Sequence, residues 1–197
     1  MDLYPFISFL LLVFLISIKI IFLKRKGIRV GSGAGKSSWR TILLYVFFLL
    51  VLLVLLFEMV SPAFSPSFSV LPELISKSLA DSLILNISGV VVISVSLVLF
   101  TLALLHFNDS LRFGLDENNQ GELVTSGIFM FSRNPFFLSI NLYFTGLALL
   151  RPCLFLIFLA VLTIVSIHFY ILKEEKFMCN FYGRKYENYK QKVRRYF

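Results

Sequence analysis

The chain has 197 residues, 58% of them hydrophobic and only 15% charged, with a net charge of +8 and a mean hydropathy of +0.85. Soluble domains run nearer half apolar and about a quarter charged, so this composition excludes an ordinary water-soluble domain and makes lipid the expected solvent. A bilayer core of roughly 30 Å takes about 20 apolar residues per helix, which predicts an all-α membrane protein of about five transmembrane helices joined by short loops.

Taken in chain order, the first apolar run covers Leu3 to Leu23 and is broken only by Lys19, near enough to its end to snorkel. It has no basic segment before it and its positive charges follow it, so it reads as a span and not as a cleavable signal peptide. The second run covers Thr41 to Phe57 and ends at Glu58 before Pro62, Pro66 and Pro72; the third covers Leu83 to Leu105. After Pro135 an apolar stretch continues to Leu172, interrupted only by Arg151-Pro152. That is too long for one helix at about 1.5 Å per residue, and a charge beside a proline suits a tight turn. It predicts a helical hairpin, Phe136–Leu150 and Cys153–Leu172, whose short first arm is tilted or buried in protein.

Sixteen of the nineteen basic residues fall on one side of this arrangement. They lie in the loop after the first span (Lys24, Arg25, Lys26, Arg29, Lys36, Arg40), in the loop after the third (Arg112, Arg133) and in the tail from Lys173 to Arg195. The asymmetry predicts an outside N-terminus and a cytoplasmic tail. The positive charge is then a topology signal and an attraction to anionic membrane lipids, with no call for nucleic acid. Cys153 and Cys179 fall on opposite faces of the membrane and do not pair; neither sits at metal-ligand spacing, so no metal is expected.

Gly31 to Ser37 has the look of a phosphate-binding loop, but the glycine required five positions before Gly35 is Val30, and a membrane helix precedes it where a strand is needed. A basic loop is the plain reading. His168, inside the last span, falls on the face of Glu175 seven positions on. A hydrogen bond from a neutral imidazole to another helix is favoured there over a catalytic role. His106 reads as interfacial.

Three polar clusters border the hairpin on the basic side: Leu123-Val124-Thr125-Ser126-Gly127-Ile128-Phe129, Ser132-Arg133-Asn134-Pro135-Phe136-Phe137, and Glu174-Glu175 followed by Tyr182-Gly183, Tyr186 and Tyr189. Each has a plain structural explanation. Asn134-Pro135 is an ordinary helix start, with a capping side chain before proline at the first helical position. Arg133 fits the positive-inside tendency, and the glutamates follow a span as solvated charges do. Tyr186, Tyr189, Val193 and Phe197 recur at helical spacing, as in an amphipathic helix lying on a membrane.

In this order, however, the clusters resemble the membrane-embedded methyltransferases related to isoprenylcysteine carboxyl methyltransferase and the phospholipid N-methyltransferases. The resemblance runs from Ser110-Leu111-Arg112 through the tail, nearly half the chain, and is carried by Leu-Val-Thr-Ser-Gly at 123–127, Arg-x-Pro at 133–135, Glu-Glu at 174–175 and Tyr-Gly-x-x-Tyr-x-x-Tyr at 182–189. It implies S-adenosylmethionine as cofactor, in a pocket at the cytoplasmic membrane face formed by Leu123, Val124, Phe129, Arg133, Asn134, Pro135, Phe137, Glu174 and Glu175. Arg133 and Glu174 are the implied catalytic pair, approaching each other across the mouth of the hairpin, with Arg133 on the cofactor's carboxylate and Glu174 on its hydroxyls or amino group. Phe129, Phe131, Phe136 and Phe137 are the expected aromatic lining.

The resemblance divides the chain into spans 1–105, with the basic loop 24–40, and a methyltransferase-like region 106–197. That region comprises cofactor loop 106–135, hairpin 136–172 and amphipathic tail 173–197. Asn134 and Phe137 stand where the best-known version has His and Tyr, which matches a bacterial-type branch and implies a bacterial inner membrane. Tyr170 stands where prenylcysteine enzymes place a substrate-binding arginine, four residues before the glutamate pair. The implied function is methylation of a lipid-like or prenylated small molecule. O-methylation of a carboxylate is favoured because no histidine–carboxylate pair is present to deprotonate an acceptor. The alternatives are a phospholipid amine N-methyltransferase and a non-catalytic membrane scaffold.

Overall fold

A computed structural model describes residues 3–28, 30–31, 39–64, 70–112 and 121–196. Helix α1 covers Tyr4–Arg25, α2 Trp39–Phe64, the short α3 Glu73–Ser76, α4 Leu83–His106, α5 Pro135–Leu150, α6 Leu154–Tyr182 and α7 Arg184–Lys192. Three of these, α1, α4 and α6, are long and apolar enough to cross a membrane; Leu49–Ser61 of α2 and the whole of α5 are shorter apolar helices. The five apolar runs of the sequence are thus five helices. The loop resembling a phosphate cradle, Ser32 to Ser37, lies outside the described residues, as do Pro66 and Phe197.

The helices alternate in direction, and ion pairs mark the two ends. At one end Lys26, just past α1, pairs with Asp109, just past α4, at 2.9 Å. At the other, Arg151 in the α5–α6 turn donates from Nη1 to the Glu58 carbonyl at 3.1 Å and lies 3.8 Å from its carboxylate. The amide of Leu79 donates to the Pro152 carbonyl there at 2.7 Å. The charge beside the proline therefore holds the turn to α2.

Helix α5 packs most extensively on α4, not on its sequence neighbour α6. Gly89, Ile93, Ser96, Phe100 and Ala103 form the buried stripe of α4, and Phe136, Ser139, Tyr143 and Gly146 that of α5. Their alternating spacing of three and four keeps one face of each helix toward the other. The stripe is rich in small residues, as helix pairs in lipid require for close approach. A Cβ on Gly89 would lie 2.6 Å from the Leu150 amide nitrogen, and one on Gly146 would lie 2.6 Å from Ile93 Cγ1. Ser96 donates to the Ser139 carbonyl at 2.8 Å inside the contact. Phe100 and Phe136 close its basic end, ring centroids 5.2 Å apart. The short α5 is accordingly a protein-buried helix, with Tyr143 1% exposed and its hydroxyl 3.1 Å from that of Ser8 on α1.

Candidate active site

The site is built at the basic end, where α4 stops and α5 starts. The loop returning to α5 runs extended through Leu123–Thr125, then tightens into a 3-10 turn over Gly127–Met130. Gly127 begins that turn at φ +62°, and its Cα faces the His106 ring so closely that a Cβ would meet Cδ2 at 1.9 Å. The ring itself is fixed by a 2.8 Å hydrogen bond between Nδ1 and the Leu102 carbonyl. Phe129 is thereby turned inward, against Phe107 at 4.9 Å between centroids, whereas Phe131 is 72% exposed and lines nothing.

Pro135 opens α5, where its missing N–H leaves no orphan donor. Asn134 does not cap the helix with its side chain. Its Nδ2 donates instead to the Arg195 carbonyl at 3.2 Å, and its backbone amide to Ser132 Oγ at 3.2 Å. The tail makes this possible by folding back over the loop. Beyond Gly183 the chain breaks out of α6 into α7, and Tyr186 and Tyr189 pack beneath Phe129, with Tyr189 donating to the Phe129 carbonyl at 2.6 Å. The apolar face of α7 therefore lies on protein and not on lipid. Burial raises both tyrosine hydroxyls above their ordinary pKa, so both stay protonated.

The tail also completes an ion cluster. Glu175 accepts from Arg133 Nη2 at 2.7 Å and from Arg195 at 3.0 Å (Nε) and 2.8 Å (Nη2). Arg133 donates from Nη1 to the carbonyls of Lys190 at 2.8 Å and Val193 at 3.0 Å, and its backbone amide to that of Arg194 at 3.0 Å. The hydrogen bonds that Arg195 donates to Glu175 raise the pKa of Arg195, which is fixed as a cation. Arg133 thus pairs with Glu175, while Arg133 and Glu174, expected to approach each other across the mouth of the hairpin, line the same cavity. Glu174 has no ion-pair partner among the described residues. His168 bonds Tyr196 of the tail, Nδ1 to hydroxyl at 3.0 Å, rather than another membrane helix.

All nine residues named from the sequence for the cofactor pocket, Leu123 through Glu175, line one cavity. Its volume of about 90 Å³ is small, but Ser110, Arg112, Glu122, Leu123, Val124 and Tyr182 also line an adjoining cleft of about 1300 Å³. Sequence reasoning placed Phe136 there correctly and did not assign Phe107, Arg112, Phe177 or Met178, which share the lining. Tyr170 lines it too, its ring 5.4 Å from Phe137. Among the described residues no group of three or more His, Cys, Asp or Glu is arranged to hold a metal.

A family model described as phospholipid methyltransferase matches residues 84–185, just over half the chain. The chain belongs to the phospholipid methyltransferase family. No curated protein and no solved structure matches it. The family match begins at the foot of α4 and ends in the first turn of α7, so it takes in the α4–α5 contact and every cavity-lining residue up to Tyr182. Tyr186, Tyr189 and Arg195 lie beyond it. This phospholipid methyltransferase family member is therefore an all-α membrane protein of a methyltransferase family.

Proposed function

We propose that the protein is an S-adenosylmethionine-dependent membrane methyltransferase acting on a lipid-like acceptor, with its site at the cytoplasmic face. The observation that carries this reading is the convergence of the loop before α5 and the end of α6 on one cavity whose unsatisfied groups suit the cofactor. Two guanidinium N–H groups there, Nε of Arg112 and Nε of Arg133, are buried without partners. Glu174 lines the same cavity unpaired, and Phe129, Phe136 and Phe137 give it an aromatic wall. The cavity alone is below the roughly 300–1,000 Å³ of ligand pockets, and the adjoining cleft supplies the remaining room.

The cofactor, when bound, supplies a methyl group already activated on a sulfonium, so the chain's part is alignment and exclusion of water. The phenylalanine rings suit an adenine and a neighbouring cation. Glu174 accepts hydrogen bonds from hydroxyl or amino groups. Asn134 and Arg133, tied to the tail, hold the loop in place around them.

A carboxylate acceptor needs no base. Glu174, without an ion-pair partner among the described residues, favours a second reading, methylation of a phospholipid amine: a carboxylate there attracts an ammonium group and takes its proton, and the freed lone pair then attacks the methyl carbon as the C–S bond breaks and its electrons return to sulfur. Tyr170, which carries no charge to fix a prenylcysteine carboxylate, supports the same choice. The test is to incubate membranes bearing the protein with methyl-labelled cofactor and identify the labelled lipid. Label in an amine headgroup supports the amine reading, label in an alkali-labile ester supports the carboxylate reading, and no lipid label with intact protein overturns both.

A further inference from the structure

The cavity holds two arginines, and they are not equivalent. Arg133 is fully engaged apart from Nε: Nη2 is on Glu175, a carboxylate it shares with Arg195, and Nη1 is on two tail carbonyls. Among the described residues Arg112 donates to backbone carbonyls, from Nη1 to Asp109 at 2.7 Å and to Leu111 at 2.9 Å. These bonds orient its guanidinium, which has no ion-pair partner among the described residues. Its Nε is buried without a partner. It lines both the cavity and the cleft, as does Glu122, with which it forms no ion pair.

We infer that Arg112, not Arg133, is the residue that takes the carboxylate of the cofactor's amino-acid end. The inference rests on the proposed cofactor. A carboxylate arriving at Arg133 would compete with Glu175 and two tail carbonyls for a guanidinium whose Nη groups are already bound. At Arg112 it would meet an oriented guanidinium, without an ion-pair partner among the described residues and with a buried donor still to satisfy, a setting that favours a charge-assisted hydrogen bond. Arg133 is then a positioning residue that ties the tail to the loop, while Arg112 reads the ligand.

The experiment compares S-adenosylhomocysteine with methylthioadenosine, which keeps the adenosine and thioether but lacks both carboxylate and amino group. Binding of each is measured by calorimetry to the full chain in detergent, for the parent, Arg112→Gln, Arg112→Lys and Arg133→Gln. The expected result is that Arg112→Gln weakens S-adenosylhomocysteine about ten- to a hundredfold and leaves methylthioadenosine within about twofold. Arg112→Lys, which keeps the charge but not the fork, loses severalfold on S-adenosylhomocysteine alone. Equal losses on both ligands, no loss on either, or carboxylate selectivity that disappears in Arg133→Gln instead, overturn the assignment. If Arg112→Gln does not fold, an unchanged ratio in Arg112→Lys overturns it. A folded parent that binds neither ligand overturns the cofactor itself, and so separates that failure from this one.

Discussion

Arg133 and Glu175, forty-two positions apart, form a buried ion pair with Nη2 2.7 Å from Oε1, their side chains 7% and 5% exposed. Adjacent positions on a helix point about 100° apart, so the choice of Glu175 as the partner leaves Glu174 free for the cavity. Of two neighbouring carboxylates, one fixes the tail and the other lines the cavity without an ion-pair partner among the described residues.

The two glutamates are expected to respond differently to the same change. Glu175→Gln leaves two guanidiniums without their counter-charge, and loss of one partner from a buried pair costs roughly 3–5 kcal/mol. Thermal unfolding in detergent should show this as a large fall in midpoint. Glu174→Gln should leave the midpoint nearly unchanged and weaken S-adenosylmethionine by about ten- to a hundredfold. The reverse pattern would show that the roles are exchanged.

At the α4–α5 contact, Gly89→Ala is expected to destabilise by about 1–3 kcal/mol, because the new Cβ meets the Leu150 backbone, which does not rotate aside. Gly146→Ala meets Ile93 Cγ1 at 2.6 Å and comes no nearer to backbone than 3.0 Å, at the Ile93 nitrogen, and should cost less. Unfolding midpoints of the two variants, measured side by side, check the order.

Gly127→Ala combines a positive φ with a clash on the His106 ring. The backbone part alone costs about 1–3 kcal/mol. The double variant with His106→Ala should recover the clash and not the backbone strain, so cofactor affinity and stability should return only in part. Full recovery would mean that the positive φ is not enforced.

Burial holds the Tyr186 and Tyr189 hydroxyls protonated above the ordinary value of 10.0. In the unfolded chain the same groups release their protons near pH 10. Their contribution is therefore fully present below about pH 10 and is lost as the pH rises further. Alkaline titration followed by tyrosinate absorbance should show Tyr186 and Tyr189 among the late-ionising tyrosines, their signals lost in Tyr186→Phe and Tyr189→Phe and appearing together with release of α7. Ionisation of every tyrosine near pH 10 in a folded protein would contradict the packing beneath Phe129.

The basic end is expected to face the cytoplasm. A reporter fused after Phe197 should read out as cytoplasmic, and an extracytoplasmic signal would move the proposed site to the other side.

Much of this was legible because lipid imposes a simple rule on sequence. Apolar runs marked all five apolar helices, and Arg151-Pro152 marked the turn between the last two. Hydropathy records contact with lipid and not the end of a helix, so α6 continues ten residues beyond Leu172, to Tyr182. The nine residues that line the cavity were gathered by the family resemblance that the order of the three clusters carries. What stayed hidden was pairing across distance. Nothing local distinguishes Arg195 from the other cations of a basic tail, and nothing in Glu174-Glu175 says which carboxylate turns toward it. The aromatic count likewise gave no reason to separate Phe131, which faces outward, from Phe129.

The seam between α4 and α5 also bears on which changes of length the protein tolerates. Gly89 meets Leu150 at one end of the seam and Phe100 meets Phe136 at the other, so the axial height of Asn134 and Pro135 is set from the far side of the bundle. One residue inserted within α5 would rotate the rest of that helix by about 100° and lift it by about 1.5 Å. The rotation would take Gly146 off Ile93 or swing Arg133 away from the tail. Substitutions here are graded in effect, whereas a single-codon insertion between Phe136 and Gly146 should be disabling out of proportion to its size.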